Sequence, residues 1–457
     1  MIFADGARQD RSDCRLVDEI PKTRFAKLGD DRIAYQVFGE GDVDLIYLSG
    51  VGDCIDVRWE WPSYASFLGR LSTFARVIMF DQRGSGASDN PSGESLPPWE
   101  RWVDDARVVL DTVDSERVAV FGGSTTGPTA ILFAVTQPSR TCGLILLNTG
   151  GLLRSSQPGE SGYSEAAIRF VHETWGTEDL AEFGFPDATH DPAFRRWKAK
   201  CQRLAISPKD ASTVITVDQV ADVRQAVGSV RVPTLVMHRE GYGRLPIEQS
   251  RAMAEQIPEA RFVVLPGNDA ALYTEPMTEG LHHIGEFLKG LQEPIEPDRA
   301  LAAILFTDIV GSTEKASGLG DREWRNLLET HDAVAKTVVE QHRGRLVKMT
   351  GDGVLATFDG PGRAIRCAMA LGDALRPLGL QIRVGLHTGE IEIRDGDIAG
   401  IGVHIAARVL EAAQPGGVWV SAAVPMLVAG SGLEFEDRGE YELKGIPGTW
   451  RLFAVED

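Results

Sequence analysis

The sequence predicts two consecutive α/β domains, and three observations support this prediction. The chain has 457 residues, which is more than one hydrophobic core usually organises. Up to residue 290, short β-branched runs alternate with helical stretches, as is typical of a mostly parallel sheet covered on both faces. The stretch LQEPIEPDRA, rich in proline and charge, then precedes a second pattern that begins with LAAILFTDIVGST. Such a stretch is typical of a linker.

These patterns divide the chain into four predicted parts. Residues 1–22 form an N-terminal extension, residues 23–290 the first domain, residues 291–300 the linker and residues 301–457 the second domain. Between about residues 150 and 227 the strand pattern of the first domain gives way to helical periodicity. This interruption predicts a helical cap over the sheet.

Composition excludes several classes of partner. Apolar residues make up 43% of the chain and charged residues 25%, and the formal net charge is -19. An acidic surface repels phosphate backbones and anionic lipid, so we expect neither nucleic acid nor membrane as a partner. The first residues lack the apolar core of a signal peptide, and five widely spaced cysteines fit neither a disulfide framework nor a zinc site. We therefore expect a cytoplasmic protein.

Two aspartates follow apolar runs in the second domain. Asp308 ends the run AAILFTD, and Asp352 lies in a GDG turn between two strand-like runs. A hairpin tip beside a strand end can bring two carboxylates together, where they repel each other unless a divalent cation lies between them. Ordinary turns are also rich in aspartate, so either residue alone is weak evidence. Four residues lie at a predicted helix start, where backbone N–H groups can cradle a triphosphate: Ile309, Val310, Gly311 and Ser312.

A third signal lies further along the chain. The segment DIAGIGVHIAARV contains Asp397, His404 and Arg408, and a helix that begins at Gly402 places His404 and Arg408 on one face. Together with FTDIVGST, KMTGDG, GLHTGE and ELKGIPG, this segment resembles the motifs of class III adenylate and guanylate cyclases, in the same order. The resemblance runs from Leu301 to Phe453. It implies a ferredoxin-like α/β catalytic domain that converts ATP into cyclic AMP and pyrophosphate.

The resemblance assigns roles to individual residues. It implies that Asp308 and Asp352 hold two Mg²⁺ or Mn²⁺ ions per site, as in two-metal catalysis. It also implies that Lys348 and Asp397 recognise adenine, since lysine donates to the ring nitrogen and aspartate accepts from the 6-amino group. Arg408 would stabilise charge at the α-phosphate.

Two further residues complete the family's set. Lys444, in ELKGIPG, resembles a lysine that binds the triphosphate. His404 stands where the family usually has an asparagine that orients the ribose, and this substitution leaves the rate open while the reaction class stays the same. The family is active as a dimer, with the metal ligands from one subunit and the base-reading pair and the arginine from the other. The resemblance therefore implies a homodimer with two sites.

The first domain resembles the α/β-hydrolase fold. The segments RVIMFDQRGSGASD and RVAVFGGSTTGPTAILFA resemble its signature turn and its nucleophile elbow, with Ser124 as the nucleophile. Thr126 replaces the last glycine of the G-x-S-x-G pattern, which predicts crowding between helix and strand. Tyr242 stands where the family's acid is expected and Ala270 where its histidine is expected. We therefore predict that Ser124 lacks a functional triad.

A domain of this fold can still bind a ligand in a pocket between sheet and cap. We therefore expect an unidentified small molecule there, which leaves a regulatory role open. Four tryptophans are candidates for lining that pocket: Trp59, Trp61, Trp102 and Trp175.

Two alternative functions stay open at this stage. One is an esterase or lipase whose degenerate cyclase domain acts as a nucleotide sensor, and the absence of a histidine in the expected loop argues against it. The other is a nucleotide sensor without enzymatic activity, which the His404 substitution leaves open.

Overall fold

The computed structural model describes residues 20–50, 52–91, 98–150, 165–220, 223–291, 299–394 and 397–456. Over these residues the chain forms two separate eight-stranded sheets. Most of the predicted N-terminal extension and linker lies outside the described residues. No helix among those described is long and apolar enough to cross a membrane.

The first sheet is mostly parallel. Its strand order is β1-β2-β4-β3-β5-β6-β7-β8, and only β1 and β2 run antiparallel to their neighbours. The strands are β1 (Arg24–Leu28), β2 (Asp31–Phe38), β3 (Val43–Tyr47), β4 (Ala75–Phe80), β5 (Val118–Gly123), β6 (Thr141–Leu147), β7 (Thr234–Arg239) and β8 (Arg261–Leu265). This is the mostly parallel sheet that the alternating pattern predicted.

Helices cover both faces of this sheet. They are α1 (Pro62–Leu71), α2 (Pro98–Thr112), α3 (Gly127–Thr136), α4 (Glu165–Thr174), α5 (Pro192–Ala205), α6 (Pro208–Val220), α7 (Arg224–Val227), α8 (Ile247–Gln256) and α9 (Thr278–Lys289). Because successive strand residues point to opposite faces, Ile78 and Phe80 pack into the core beneath α2 and α3, whereas Val77 and Met79 pack beneath α1 and α9. Helices α4 to α6 form the cap, whereas α7, which the sequence assigned to the cap, packs against α3 and α8 in the core of the domain.

The second sheet is mixed. Its main strand order is β10-β11-β9-β12-β14-β16-β15, with β13 paired to β12. Its strands are β9 (Arg299–Ile309), β10 (Arg345–Met349), β11 (Val354–Phe358), β12 (Ile382–Arg394), β13 (Asp397–Ala399), β14 (Val418–Ser421), β15 (Phe435–Glu442) and β16 (Thr449–Val455). Its helices are α10 (Ser312–Leu319), α11 (Asp321–Gln341), α12 (Pro361–Leu375), α13 (Ile401–Ala412) and α14 (Ala423–Leu427).

The alternation along β9 determines which face Asp308 occupies. Ala303 and Leu305 pack with residues of α11 and α12 on one face. Ala302 and Ile304 pack with Ala406 of α13 on the other. Asp308 has the parity of Ala302 and Ile304, so its side chain belongs to the α13 face.

The two domains contact each other directly through α2 and α12. The buried carboxylate of Glu100 accepts hydrogen bonds from the backbone N–H groups of Gly362 (2.7 Å) and Arg363 (3.3 Å), at the N-terminus of α12. A carboxylate is stabilised there by the free N–H groups and the helix dipole. Arg363 also pairs with Asp104 of α2, and Arg107 pairs with Asp359 at 3.0 Å. The interface is therefore a buried charged junction, which the sequence alone did not indicate.

Candidate functional site

Backbone packing places the GDG turn against the end of β9. Strands β11 and β9 are antiparallel, with Leu355 opposite Phe306, so the same register brings Gly353 opposite Asp308. A Cβ on Gly353 would lie 1.9 Å from the carbonyl oxygen of Thr307, so only glycine fits this close approach. Asp352 is therefore held beside the strand end that carries Asp308.

The two carboxylates are suited to a hard divalent cation. Mg²⁺ is commonly held by one or two carboxylates together with substrate phosphates. Among the described residues, no cluster of three or more histidine, cysteine or acidic side chains forms a metal site, so phosphate or water oxygens would complete the coordination. Arg383 already contacts Oδ2 of Asp308 through Nε (2.9 Å) and Nη2 (2.6 Å). A bound cation would share this carboxylate with Arg383 or displace the guanidinium.

The predicted phosphate cradle is smaller than expected. The N–H group of Val310 donates to the carbonyl oxygen of Gln381 at 2.8 Å, because the pairing of β9 with β12 continues past Ile309. The prediction that Val310 contributes a phosphate-binding N–H is therefore wrong. Gly311 then adopts a left-handed conformation (φ 67°), and α10 begins at Ser312. The N–H groups of the first helical turn have no intrahelical acceptor, so the cradle is centred on this turn.

Lys348 and Asp397 lie together although they are 49 residues apart. The Lys348 ammonium donates to both carboxylate oxygens of Asp397, at 2.9 and 2.6 Å. Asp397 also accepts from the N–H group of Ile398 at 2.8 Å. The hydrogen bonds from Lys348 hold the pKa of the Asp397 carboxyl below its usual value, and the N–H group of Ile398 adds to this effect. Both side chains are about half exposed, so a donor and an acceptor stand side by side where a ligand can reach them.

Helix α13 carries His404 and Arg408. His404 is exposed, and Arg408 pairs with Glu411, a residue that the sequence interpretation missed although the i,i+3 spacing was readable. Lys444 is exposed in the turn between β15 and β16. Each of these cationic or titratable groups is therefore accessible to an anionic ligand or to a second subunit.

Ser124 sits at the strained turn expected of a nucleophile elbow. Its φ of 50° is unusual for a residue with a Cβ and costs on the order of 1–3 kcal/mol. The predicted crowding at Thr126 is relieved because its hydroxyl turns back to the backbone of Gly123, with oxygen–nitrogen and oxygen–oxygen distances of 3.0 and 3.1 Å. The close packing of the helix occurs at Gly127 instead, since a Cβ on this residue would lie 2.2 Å from the Thr149 side chain.

The hydroxyl of Ser124 faces a tyrosine. The distance from Ser124 Oγ to the Tyr242 hydroxyl is 3.0 Å. Burial raises the pKa of Tyr242 to about 12, although the hydrogen bond to Ser124 lowers it slightly. A phenol with this pKa stays protonated at neutral pH and is a poor general base. The sequence showed that an acid was missing at position 242, but it did not show that Tyr242 reaches the serine.

Three described histidines of the first domain were candidates for a base, and none of them contacts Ser124. His238 Nδ1 contacts Ser250 Oγ at 2.8 Å, and burial lowers the pKa of His238 to about 4. His282 and His283 lie on α9 beside Glu286. Asp269 is buried and accepts from backbone N–H groups of the cap at Asp187 and Ala188. Among the described residues, no histidine contacts Ser124.

A cavity of about 150 Å³ lies beside Ser124, between the sheet and the cap. Trp175 lines it, as the sequence suggested, and Ala270 lines it as well. Trp59 and Trp61 instead pack within the hydrophobic core of the domain, and Trp102 lines a separate surface depression. Three of the four tryptophan expectations are therefore wrong: Trp59 and Trp61 fill the core, as aromatic side chains often do, and Trp102 lies at a different surface.

Charged side chains reach this cavity, and the sequence interpretation did not single them out. Lys198 Nζ contacts Asp53 at 2.7 Å, and Arg58 lies 3.8 Å from the same carboxylate. Arg244 lines the cavity, with its guanidinium carbon 4.0 Å from the centre of the Phe183 ring. Burial lowers the pKa of Arg244 to about 9. The only sequence feature that could have indicated Arg244 as a cavity residue is its position two residues after Tyr242.

Comparison with known proteins finds a different family in each half of the chain. Residues 64–268 match the family described as serine aminopeptidase, S33. Residues 297–457 match the adenylate and guanylate cyclase catalytic domain. The crystal structure of a bromoperoxidase from Bacillus anthracis superimposes on 59% of this chain and 100% of its own, with a TM-score of 0.50 and 23% identity. That likeness concerns the fold alone.

Two curated relatives match the second domain. Putative adenylate cyclase 3 of Rhizobium meliloti (strain 1021) is 37% identical over 161 residues, which are 32% of this chain and 27% of that protein. An adenylate cyclase of Streptomyces coelicolor is 34% identical over 131 residues, which are 28% of this chain and 33% of that protein. The chain thus spans about a third or less of each relative's length.

Proposed function

Because the chain combines an N-terminal α/β hydrolase domain of the S33 type with a C-terminal class III nucleotidyl cyclase domain, we propose that it is an adenylate cyclase. The reaction would convert ATP into 3′,5′-cyclic AMP and pyrophosphate. The observation that carries this proposal is the ion pair between Lys348 and Asp397. It offers a donor beside an acceptor, which complements the N1 and 6-amino group of adenine, whereas guanine presents the reverse pattern.

Asp308 and Asp352 would hold the divalent metals. Two such ions, when bound, would supply activation of the ribose 3′-hydroxyl and neutralisation of charge on the triphosphate. The tight packing of Gly353 against Thr307 supports this role, since it holds the turn that contains Asp352 against the residue before Asp308. The first turn of α10, at Gly311 and Ser312, would receive a phosphate through its backbone N–H groups.

The complete site would form between two subunits. Lys348 and Asp397 expose about half of their side chains, and His404 is exposed as well. In a homodimer, Arg408 would leave Glu411 to stabilise charge at the α-phosphate of the opposite site, with Lys444 near the triphosphate. His404 would donate a hydrogen bond to the ribose in place of the usual asparagine.

The first domain would act as a binding module and not as a hydrolase. Ser124 faces the protonated phenol of Tyr242, so no described group is placed to take its proton. The contact between α2 and α12 would allow ligand binding in the first domain to affect the cyclase domain. Strand β11 runs directly from the GDG turn towards α12, whose N-terminus Glu100 holds.

One assay tests the proposed function against its alternatives. The purified full chain would be incubated with ATP and Mn²⁺ or Mg²⁺, and separately with a short-chain ester. Cyclic AMP without ester hydrolysis supports the proposal. Ester hydrolysis without cyclic AMP indicates an esterase with a degenerate cyclase domain, and tight ATP binding without either product indicates a nucleotide sensor.

The base-reading pair makes a specific prediction. Replacing Lys348→Glu together with Asp397→Cys should lower kcat/KM for ATP roughly tenfold or more, because each mispaired polar group costs about 1–3 kcal/mol. GTP turnover should fall less, or rise. The measurement is steady-state cyclic nucleotide formation from each substrate.

A second ion pair of the same domain is the matched control. Lys336 and Glu340 lie one turn apart on the exposed face of α11, 4.0 Å from each other. Lys336→Glu with Glu340→Cys makes the same chemical change there and should leave both substrates unaffected. Unchanged ATP kinetics in the Lys348 and Asp397 variant would show that the base is recognised elsewhere.

A separate prediction concerns Ser124. We expect no measurable ester hydrolysis and no labelling by a serine-directed phosphonate, because the serine proton has no acceptor at neutral pH. Ser124→Ala should leave basal cyclic AMP formation unchanged. Tyr242→Asp with Ala270→His restores the residue types of the missing pair, and weak hydrolysis in that variant alone would identify a hydrolase pocket that has lost its base. Ser124-dependent hydrolysis by the unmodified protein would contradict the prediction.

A further inference from the structure

We propose that the cavity beside Ser124 binds a small apolar carboxylate of about the size of benzoate or hexanoate. The inference deepens the proposed function, since it assigns a ligand class to the module that we propose binds without hydrolysis. It rests on the size of the cavity, on the charged side chains that line it and on the position of Arg244 near Ala270.

The size and lining of the cavity favour an apolar body. Its volume is about 150 Å³, comparable with engineered cavities that accommodate benzene. Much of the described wall is aromatic or aliphatic, with Phe121, Leu147, Trp175 and Phe185 among the lining side chains. A ligand with a single aromatic ring or a short alkyl chain would therefore gain from leaving water.

The charges favour a ligand with an anionic group. Two cationic side chains, Lys198 and Arg244, line the cavity, and Asp53 is the one carboxylate among the described lining residues. Asp53 is already contacted by Lys198 at 2.7 Å and approached by the buried Arg58 at 3.8 Å. Its charge is therefore offset locally, and the described charges around the cavity sum to a positive value. A cationic ligand would be repelled, whereas an anion would be attracted.

Arg244 reaches the part of the cavity wall that Ala270 also lines. Arg244 Nη1 and Ala270 Cβ both lie within 4.0 Å of the point that a Cβ on Gly184 would occupy, and Ala270 holds the position expected for the catalytic histidine. Packing on the Phe183 ring restrains the guanidinium plane. With a pKa of about 9, Arg244 remains protonated at neutral pH. The cavity therefore lacks a group at position 270 that would remove a proton from serine, and it has nearby a cation that would bind an anion.

Ser124 supplies the second side of this anion site. Its turn opens into α3, so the first N–H groups of that helix and its positive dipole end lie at the same wall as the serine hydroxyl. In a hydrolase these groups stabilise a transient oxyanion. Next to Arg244 they would instead bind the ligand's permanent carboxylate, while its apolar body fills the remaining volume.

The test is calorimetric titration of the full chain with matched ligands. Benzoate and hexanoate are compared with their uncharged amides, benzamide and hexanamide, and with benzylamine. We expect at least one acid to bind about tenfold or more tightly than its amide, because hydrogen bonds to charged groups are roughly twice as strong as neutral ones. Benzylamine should bind more weakly than either benzoate or benzamide.

Two variants test whether Arg244 causes the preference for the acid over the amide. Arg244→Met should remove the advantage of the acid over the amide while the amide affinity stays similar. Arg251→Met is the matched control, since Arg251 also packs on a phenylalanine, Phe262, but does not line the cavity. That control should retain the full preference for the acid.

Several outcomes would overturn the inference. They are equal affinity for acid and amide, absence of binding by both acids at millimolar concentration, and a preference for the acid that survives Arg244→Met. If Arg244→Met does not fold, the comparison of acids with amides on the unmodified protein still decides. Cyclic AMP formation is measured on the same preparation, so a chain that binds benzoate but makes no cyclic AMP contradicts the proposed cyclase and leaves the ligand assignment intact.

Discussion

Replacing either Asp308 or Asp352 by alanine is expected to lower cyclic AMP formation by at least about a hundredfold. These two carboxylates are the proposed metal ligands, and the loss of a group that stabilises developing charge typically costs 10²–10³ in rate. Asp308→Asn is a second test, because it retains the shape of the side chain near Arg383 but removes its charge. The measurement is initial rate at saturating ATP and Mn²⁺, with thermal unfolding recorded for each variant.

A second aspartate–arginine pair provides the control for this experiment. Asp437 contacts Arg451 through one carboxylate oxygen, as Asp308 contacts Arg383, but Asp437 lies on β15 and is exposed. Asp437→Ala should therefore keep nearly full activity. If Asp308→Ala or Asp352→Ala retains the turnover of the unmodified protein while folded, the metal assignment is wrong.

Mixing two inactive variants is expected to restore activity. Asp308→Ala removes a proposed metal ligand, and Arg408→Ala removes charge stabilisation at the α-phosphate, so each homodimer should be inactive. If the two residues come from different subunits, a mixed dimer has one site with both defects and one with neither. Random exchange of equal amounts should then recover about a quarter of the original sites, since half of the dimers are mixed.

The recovery must depend on subunit exchange. Activity is measured before and after incubation of the two variants, and exchange is followed with differently tagged chains. Mixing Asp308→Ala with Asp352→Ala is the control, since both substitutions affect the same half of the site and should not complement. Absence of recovery in the Asp308 and Arg408 mixture, with exchange demonstrated, would contradict the shared-interface site.

Periodicity and motif order predicted much of the fold because both are local properties. The β-branched runs of the first domain, separated by helical stretches, indicated its mostly parallel sheet, and the order of the motifs indicated the fold class of the second domain. The left-handed Gly311 and the glycine turn around Asp352 were readable for the same reason, since their backbone conformations depend on adjacent residues. The assignment of Val310 failed because its hydrogen bond goes to Gln381, on another segment of the chain.

The chain's sequence was sufficient to identify its two domain types and to show that Ser124 lacks the expected histidine and acid. It was not sufficient to show which distant groups come into contact. Tyr242 meets Ser124 across 118 residues, and Glu100 meets the start of α12 across 262 residues. Such contacts depend on how whole elements pack, so no local pattern encodes them. Burial then changes the chemistry, since it raises the pKa of Glu100 to about 8 and of Tyr242 to about 12 by removing water from groups that would be ordinary on the surface.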